Sequence, residues 1–415
     1  MPAFVALFLS ISLFVGQFAS VTISSLHTPI SYNLDETEST FSETSLETTT
    51  SGDANSLGLT CKSAILVEAS TGTIIYEKNA TEQFRPASIT KIMTLILIFD
   101  ALSEKKITLE DIVTVSEHAA DMGGSQVYLE PGETQTVDTM IKCIAVASAN
   151  DACVAMAEHI WGSETEFVNK MNERAKGLGM NQTTFVNCCG LDVDGHITTA
   201  KDIALMSQEL ITKYPDIFNY TTIWMENITH VTRRGTSEFG LTNTNKLIRQ
   251  YSYATGLKTG FTSLAGFCVS ATAKKDNVEL IAVIMNADSS KIRNAEAISL
   301  LNYGFRICQT YTDNNDTPLT PLPVKKGMAD TVPLYYNGPF HYVSVDGSDM
   351  SAIEKQIDLP LEVNAPVVKG DIAGRAVYTL NGKEIGFVPI LYSESVEMAT
   401  FGDYFMDVLT EYMTL

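Results

Sequence analysis

The chain has 415 residues, of which 45% are hydrophobic, with 16 Tyr and 18 Phe, enough for two or three domains and a sizeable core. A formal net charge of −21 argues against a nucleic-acid partner, which needs a basic face, and weakens any attraction to anionic lipid. Seven irregularly spaced cysteines with no CxxC pair do not make a disulfide framework, and six scattered His without metal spacing give no expectation of a metal or cofactor.

In chain order, Ala3 to Phe18 is an apolar segment with the length of a signal-peptide core and too short for a comfortable membrane span. Residues 1–20 are therefore expected to be an export signal or an N-terminal anchor. Residues 21–58 are rich in Ser, Thr, Glu and Asp, as in Asp35-Glu-Thr-Glu-Ser, and read as a tether that cannot bury enough apolar surface to order itself. Folded sequence starts near Cys61. Ser63-Ala-Ile-Leu-Val-Glu-Ala and Thr73-Ile-Ile-Tyr-Glu are strand-like runs joined by Ser70-Thr71-Gly72, a hairpin signal.

Arg85-Pro-Ala-Ser-Ile-Thr-Lys-Ile-Met-Thr then runs straight into Leu95-Ile96-Leu97-Ile98-Phe99. Pro86 fixes an extended entry, and the long apolar run predicts a buried helix starting at or near Ser88. Ser88 and Lys91 stand three apart, so their side chains share one face of the first turn. A buried lysine at the positive end of a helix dipole has its charged form disfavoured twice and can act as a base. A hydroxyl beside it is an activated nucleophile, and a backbone N–H at the helix start can serve an oxyanion hole. The plainer reading is a helix-capping Ser and a solvated Lys; Ser103 and Lys106 repeat the spacing in a polar stretch.

A second helix is predicted at Val137 to Ala147. It ends in Ser148-Ala149-Asn150, where a third takes over at Ala152 to Ile160. A polar Ser-x-Asn knot between two apolar helices would present two hydrogen-bonding side chains to a cleft; its plainer reading is an N-cap. Glu166 to Leu178 is an amphipathic helix. The vicinal pair Cys188 and Cys189 follows, with its oxidation state open, and Gly195-His-Ile-Thr-Thr-Ala starts another helix. Lys258-Thr259-Gly260 is placed at the head of a strand, where the glycine lets backbone approach a ligand, Lys258 supplies positive field and Thr259 can donate to a carboxylate. Its plainer reading is a turn with one exposed lysine. Strand-like runs at Gly266 to Thr272 and Val278 to Met285 and a helix at Arg293 to Phe305 close this part.

Taken together, Ser88-x-x-Lys91, Ser148-x-Asn150 and Lys258-Thr259-Gly260 resemble the motif set of the penicillin-binding protein and serine β-lactamase superfamily. The longer stretches Ser148-Ala-Asn-Asp-Ala, Asn243-Thr-Asn-Lys-Leu, Gly256-Leu-Lys-Thr-Gly-Phe-Thr and Ala265-Gly-Phe-Cys-Val sharpen the resemblance to low-molecular-mass D-alanyl-D-alanine carboxypeptidases. The resemblance implies an α+β fold: an antiparallel sheet flanked by helices in a catalytic domain over 59–312, with the cleft at an all-helical lobe, and a small all-β domain over 318–396. It further implies Ser88 as the acylated nucleophile, Lys91 as its base and Ser148 as the group passing a proton to the departing D-alanine. Asn150 would hold the substrate peptide group, Lys258 and Thr259 the terminal carboxylate, and the N–H groups of Ser88 and Phe261 the oxyanion. Arg293 lies where such proteins often carry a carboxylate-side arginine. One departure is Asn187-Cys188-Cys189-Gly190, where the family usually has Asn-Pro or a similar pair before Gly-Leu.

The implied partner is a peptidoglycan pentapeptide ending in D-Ala-D-Ala, with β-lactams as covalent inhibitors, no cofactor, and an extracytoplasmic location. Three alternatives stay open. A β-lactamase would need a deacylating base, for which Glu166 is the candidate. A transpeptidase would pass the acyl group to an amine, and a wall-binding scaffold would be inert. In the last part of the chain, Asn381-Gly382 is a strong hairpin signal. Residues 399–415 put Phe401, Tyr404, Phe405, Val408, Leu409 and Tyr412 on one helical face and Asp403, Asp407 and Glu411 opposite. That pattern predicts weak membrane association or docking on protein.

Overall fold

The computed structural model describes residues 57–414; the expectations for an export segment at 1–20 and for most of the 21–58 tether fall outside the described residues. Five strands form the central sheet: β1 (Ser63–Glu68), β2 (Ile74–Lys78), β3 (Ala254–Thr262), β4 (Gly266–Lys275) and β5 (Val278–Ala287). Their order is β2-β1-β5-β4-β3 and every pairing is antiparallel. The hairpin read at Ser70-Thr71-Gly72 joins β1 to β2. The last strands of this part thus insert beside the first, and the segment with Lys258 becomes an edge.

Both faces of the sheet are covered, and the strand sequences say so. On β5, Ile281, Val283 and Met285 enter one core while Leu280, Ala282 and Ile284 enter another, as the period of two in a strand demands. The first core is shared with helices α1 (Lys91–Ser103), α2 (Val137–Ala145), α3 (Asn150–Trp161), α4 (Glu164–Gly177) and α5 (Ala200–Lys213). The second is capped by α6 (Ser290–Ile307) through Ala297, Leu300 and Leu301. Helix α1 is buried continuously from Lys91 to Phe99, which explains why its sequence shows no polar stripe.

Boundaries differ from the sequence expectation at informative places. Helix α2 stops at Ala145 and α3 starts at Asn150 rather than Ala152, so Asn150 belongs to a helix and not to the preceding loop. Ser148 is not a cap: the α3 cap position is Ala149, with no side-chain bond. Lys258-Thr259-Gly260 lies within β3, four residues in, not at its head. A long hairpin, Met225–Thr232 with Gly235–Thr242, had no strong sequence signal and stands apart from the main sheet.

The C-terminal part is β-structured up to its last helix, apart from one 3-10 turn at Met350–Ala352, with β6 (Ile353–Asp358), β7 (Ile372–Leu380) and β8 (Lys383–Tyr392) in one antiparallel sheet. Asn381 and Gly382 turn β7 into β8 with φ of 52° and 80°, the left-handed pair expected of that dipeptide. A separate core forms around Tyr378, which is fully buried and stacked on Phe340 at 3.8 Å. Helix α7 (Phe401–Thr414) ends the described chain and exposes Phe401, Phe405 and Tyr412. Among the described residues no helix is long and apolar enough to cross a membrane.

Candidate active site

Ser88 sits in a short 3-10 turn, Ala87–Thr90, that feeds directly into α1. Ala87 is held at φ 48°, a left-handed conformation that a non-glycine residue adopts only when its surroundings enforce it. Those surroundings are two glycines. A Cβ on Gly260 would come within 2.9 Å of the Pro86 carbonyl oxygen and 3.1 Å of Ser88 N. A Cβ on Gly190 would come within 1.9 Å of the Ala87 carbonyl oxygen. Strand β3 and the loop after Cys189 therefore close on the Ser88 turn from two sides, at distances that only glycine allows.

Lys91 is the first residue of α1 and is completely buried. Its Nζ lies 3.1 Å from Ser88 Oγ, and donates to Asn150 Oδ1 and to the Cys189 carbonyl oxygen, both at 2.7 Å. Ser88 itself is only partly buried, so the hydroxyl opens toward solvent while the amine does not.

Lys258 projects from β3 and is 1% exposed. Its Nζ donates to Ser148 Oγ at 2.9 Å and to the Thr259 carbonyl oxygen at 3.1 Å. Burial holds the Lys258 amine well below the usual lysine range, and the nearby Lys91 charge pushes the same way. Ser148 is buried at φ 61°, a second left-handed non-glycine residue in the site. Thr259 Oγ1 donates to Thr244 Oγ1 at 3.1 Å, and Thr244, unlike Thr259, is exposed.

The remaining predicted residues fall less centrally. Asn150 has both ends of its amide occupied by protein, with Nδ2 donating to the Gly123 carbonyl oxygen at 2.6 Å and Oδ1 on Lys91. Phe261 is half exposed and stacks on Phe267 at 4.2 Å. Arg293, on α6, is buried and donates to Asn294 Oδ1 and to the Cys268 carbonyl oxygen; burial pushes it down to about 10. Among the described residues, Lys91, Lys258 and Arg293 are buried and form no ion pair with a carboxylate. Glu166 is exposed and accepts from Asn169 at 3.2 Å, an ordinary surface arrangement.

Several contributors carry little sequence signal. Asn187 Oδ1 accepts from the N–H groups of Cys189, Gly190 and Leu191, fixing the turn whose carbonyl holds Lys91. His196 accepts from the Val186 N–H at Nδ1, so its Nε2 donates to Thr90 Oγ1 at 2.8 Å; burial, helped by the Arg85 charge, pushes it down to about 4. Among the described residues, the one group with the donor atoms to hold a metal is Glu164, Cys188 and Cys189.

Such a cleft pairs a hydroxyl with a buried amine and sets a second buried lysine on the Ser148 hydroxyl, which suits acyl transfer from a substrate that carries a carboxylate. The family described as D-alanyl-D-alanine carboxypeptidase matches residues 48–289, and that described as penicillin-binding protein 5, C-terminal domain, matches residues 309–398. D-alanyl-D-alanine carboxypeptidase DacF of Bacillus subtilis is 42% identical over 82% of this chain and 87% of its own length, and DacC of Escherichia coli is 33% identical over 81% and 84%. Penicillin-binding protein 5 of Haemophilus influenzae superposes with a TM-score of 0.62 at 28% identity, covering 82% of this chain and 98% of that one.

Proposed function

The chain belongs to the D-alanyl-D-alanine carboxypeptidase family of serine-type hydrolases, and on that premise we propose that it removes the terminal D-alanine of peptidoglycan stem peptides through an acyl-enzyme on Ser88. The observation that carries this reading is the 3.1 Å approach of Lys91 Nζ to Ser88 Oγ. As a neutral amine Lys91 has two N–H bonds, and two protein acceptors, Asn150 Oδ1 and the Cys189 carbonyl, are there to take them. Its lone pair is then left for the Ser88 proton.

In the proposed reaction the Ser88 oxygen attacks the carbonyl carbon of the D-Ala-D-Ala peptide bond while its proton moves to Lys91. The N–H groups of Ser88 and Phe261 take the developing oxyanion. The C–N bond then breaks, and a proton passed through Ser148 leaves with the D-alanine amine. Water hydrolyses the ester in the second half. Lys258, Thr259 and Thr244 bind the terminal carboxylate, whose negative charge favours the ammonium form of Lys258, with Arg293 contributing field from behind the sheet. Asn150 positions the Lys91 amine; contact with the substrate amide would require it to release the Gly123 carbonyl.

The same geometry should accept penicillins as acylating inhibitors. Family members act on peptidoglycan, outside the cytoplasm, and an export role for the apolar segment Ala3 to Phe18 fits that setting. The reading assigns catalysis to 59–312, an accessory all-β role to 318–396 and weak membrane contact to α7, whose exposed Phe401, Phe405 and Tyr412 favour an interface. Release of D-alanine from a pentapeptide tests the proposal: it is expected from the wild type and lost in Ser88→Ala, while unchanged release in that variant would overturn it.

A further inference from the structure

Glu164, Cys188 and Cys189 meet on the far side of the turn that holds Lys91, where a carboxylate oxygen and two sulfurs lie within 4.8 Å of one another. In extended chain, adjacent side chains point to opposite faces. Here the Asn187 side chain winds the backbone into a turn through three N–H bonds, and the Cys188 N–H donates to Glu164 Oε1 at 3.1 Å, so both sulfurs face the same carboxylate. Both cysteines are buried. The Glu164 side chain is 18% exposed and opens the cluster to solvent, with His118 Nε2 3.8 Å from Glu164 Oε2. The proposed reaction uses none of these side chains.

We propose that Glu164, Cys188 and Cys189 form a binding site for one thiophilic divalent cation of the zinc or cadmium type. Two thiolates and a carboxylate are a donor set that selects such an ion over magnesium or calcium. With metal–ligand bonds of about 2.0–2.3 Å, a tetrahedral ion draws its ligand atoms to roughly 3.3–3.8 Å from one another, so the three close by about 1.5 Å at most. His118 or a water completes the tetrahedron, and Glu158, which bonds His118 Nδ1 at 3.2 Å, orients the ring.

Loading forms two metal–thiolate bonds and releases the two thiol protons to solvent. A dication replaces two protons, so the net charge behind Lys91 is unchanged. The consequence is mechanical. The carbonyl of Cys189 accepts from Lys91 and that of Cys188 from Thr94, so an ion fixing these two residues braces one wall of the cleft. Because the unfolded chain lacks the assembled site, the ion stabilises the fold.

The test titrates the full chain, purified with a phosphine reductant and freed of metal, with Zn2+ and with Cd2+. One equivalent is expected to bind, with two protons released, a sulfur-to-cadmium charge-transfer absorption and a raised melting temperature. Cys188→Ser and Cys189→Ser should each lose the absorption and bind at least about 100-fold more weakly, and Glu164→Gln, which keeps both thiols, about 10-fold more weakly. Cys153→Ala, equally buried but outside the cluster, should bind like the wild type, and circular dichroism checks that each variant is folded. No charge-transfer band in the wild type, unaltered affinity in the folded cysteine or Glu164 variants, or a Cys188–Cys189 disulfide that survives the reductant would each overturn the proposal.

Discussion

Lys258 Nζ donates to Ser148 Oγ at 2.9 Å, tying the edge strand of the sheet to the loop between two helices that lie 110 residues earlier in the chain. This bond joins two of the three motifs; the third is joined by the bond from Lys91 to Asn150. The cleft is therefore one hydrogen-bonded unit, although no two of its segments are neighbours in sequence.

Lys258 has its charged form disfavoured by burial, and a bound carboxylate would restore that form. Substrate binding should take up a proton once pH exceeds the lowered value, so KM for a carboxylate-terminated peptide rises with pH above it while the amide-terminated analogue shows no such rise. Lys258→Ala should lower kcat/KM for the carboxylate peptide by about 30-fold to 5,000-fold, the equivalent of roughly 2–5 kcal/mol for losing one partner of a buried charge pair. Steady-state kinetics on the peptide and its amide checks both.

Asn150→Asp puts a carboxylate where an amide oxygen now lies 2.7 Å from Lys91 Nζ. An adjacent negative charge favours the ammonium, which cannot accept the Ser88 proton. Acylation by a labelled penicillin should slow at neutral pH by about tenfold or more and recover as pH is raised.

Gly190→Ala and Gly260→Ala separate packing from function. At Gly190 the backbone has φ 88° and the added methyl meets the Ala87 carbonyl oxygen at 1.9 Å, so destabilisation of about 2–5 kcal/mol is expected from left-handed strain plus overpacking. At Gly260 the contacts are 2.9–3.1 Å, all with residues 86–88. That variant should keep most of its melting temperature and lose acylation rate, because the strand is pushed off the nucleophile turn.

His196 is buried with its value lowered to about 4 from 6.5, so the unfolded chain binds more protons between those limits. Stability from this group is therefore complete above about pH 6.5 and declines as pH falls toward 4, by about 3 kcal/mol in all. His196→Asn, which can still accept from the Val186 N–H, should flatten the fall of melting temperature across that window.

Much of this architecture was readable in the residues. The β1–β2 hairpin and the Asn381-Gly382 turn are local patterns and appear as read; α1 is buried all round as read, but Pro86 before it is helical, with ψ −22°, and not the extended entry expected. The motifs single out Ser88, Lys91, Ser148 and Lys258 for the chemistry their side chains allow. What stayed hidden depends on the tertiary fold. Asn150 is expected to hold the substrate amide, and what its sequence position does not reveal is that its own amide bonds Lys91 and the Gly123 carbonyl, contacts that exist only once α1, α3 and the 123–125 loop meet. Thr244 is one hydroxyl in a polar stretch until β3 brings Thr259 beside it. The capping alternative for Ser148 failed because left-handed backbone, invisible in composition, turns that residue inward. Cys188 and Cys189 stood out as a pair, but only the folded α4 terminus adds Glu164.

Intact-protein mass spectrometry after incubation with a labelled penicillin, followed by peptide mapping, tests the central claim most directly. One label per chain on the peptide containing Ser88, slowed strongly in Lys91→Ala and absent in Ser88→Ala, is the predicted result. A label on any other residue, or undiminished labelling of the Ser88→Ala chain, would contradict the account.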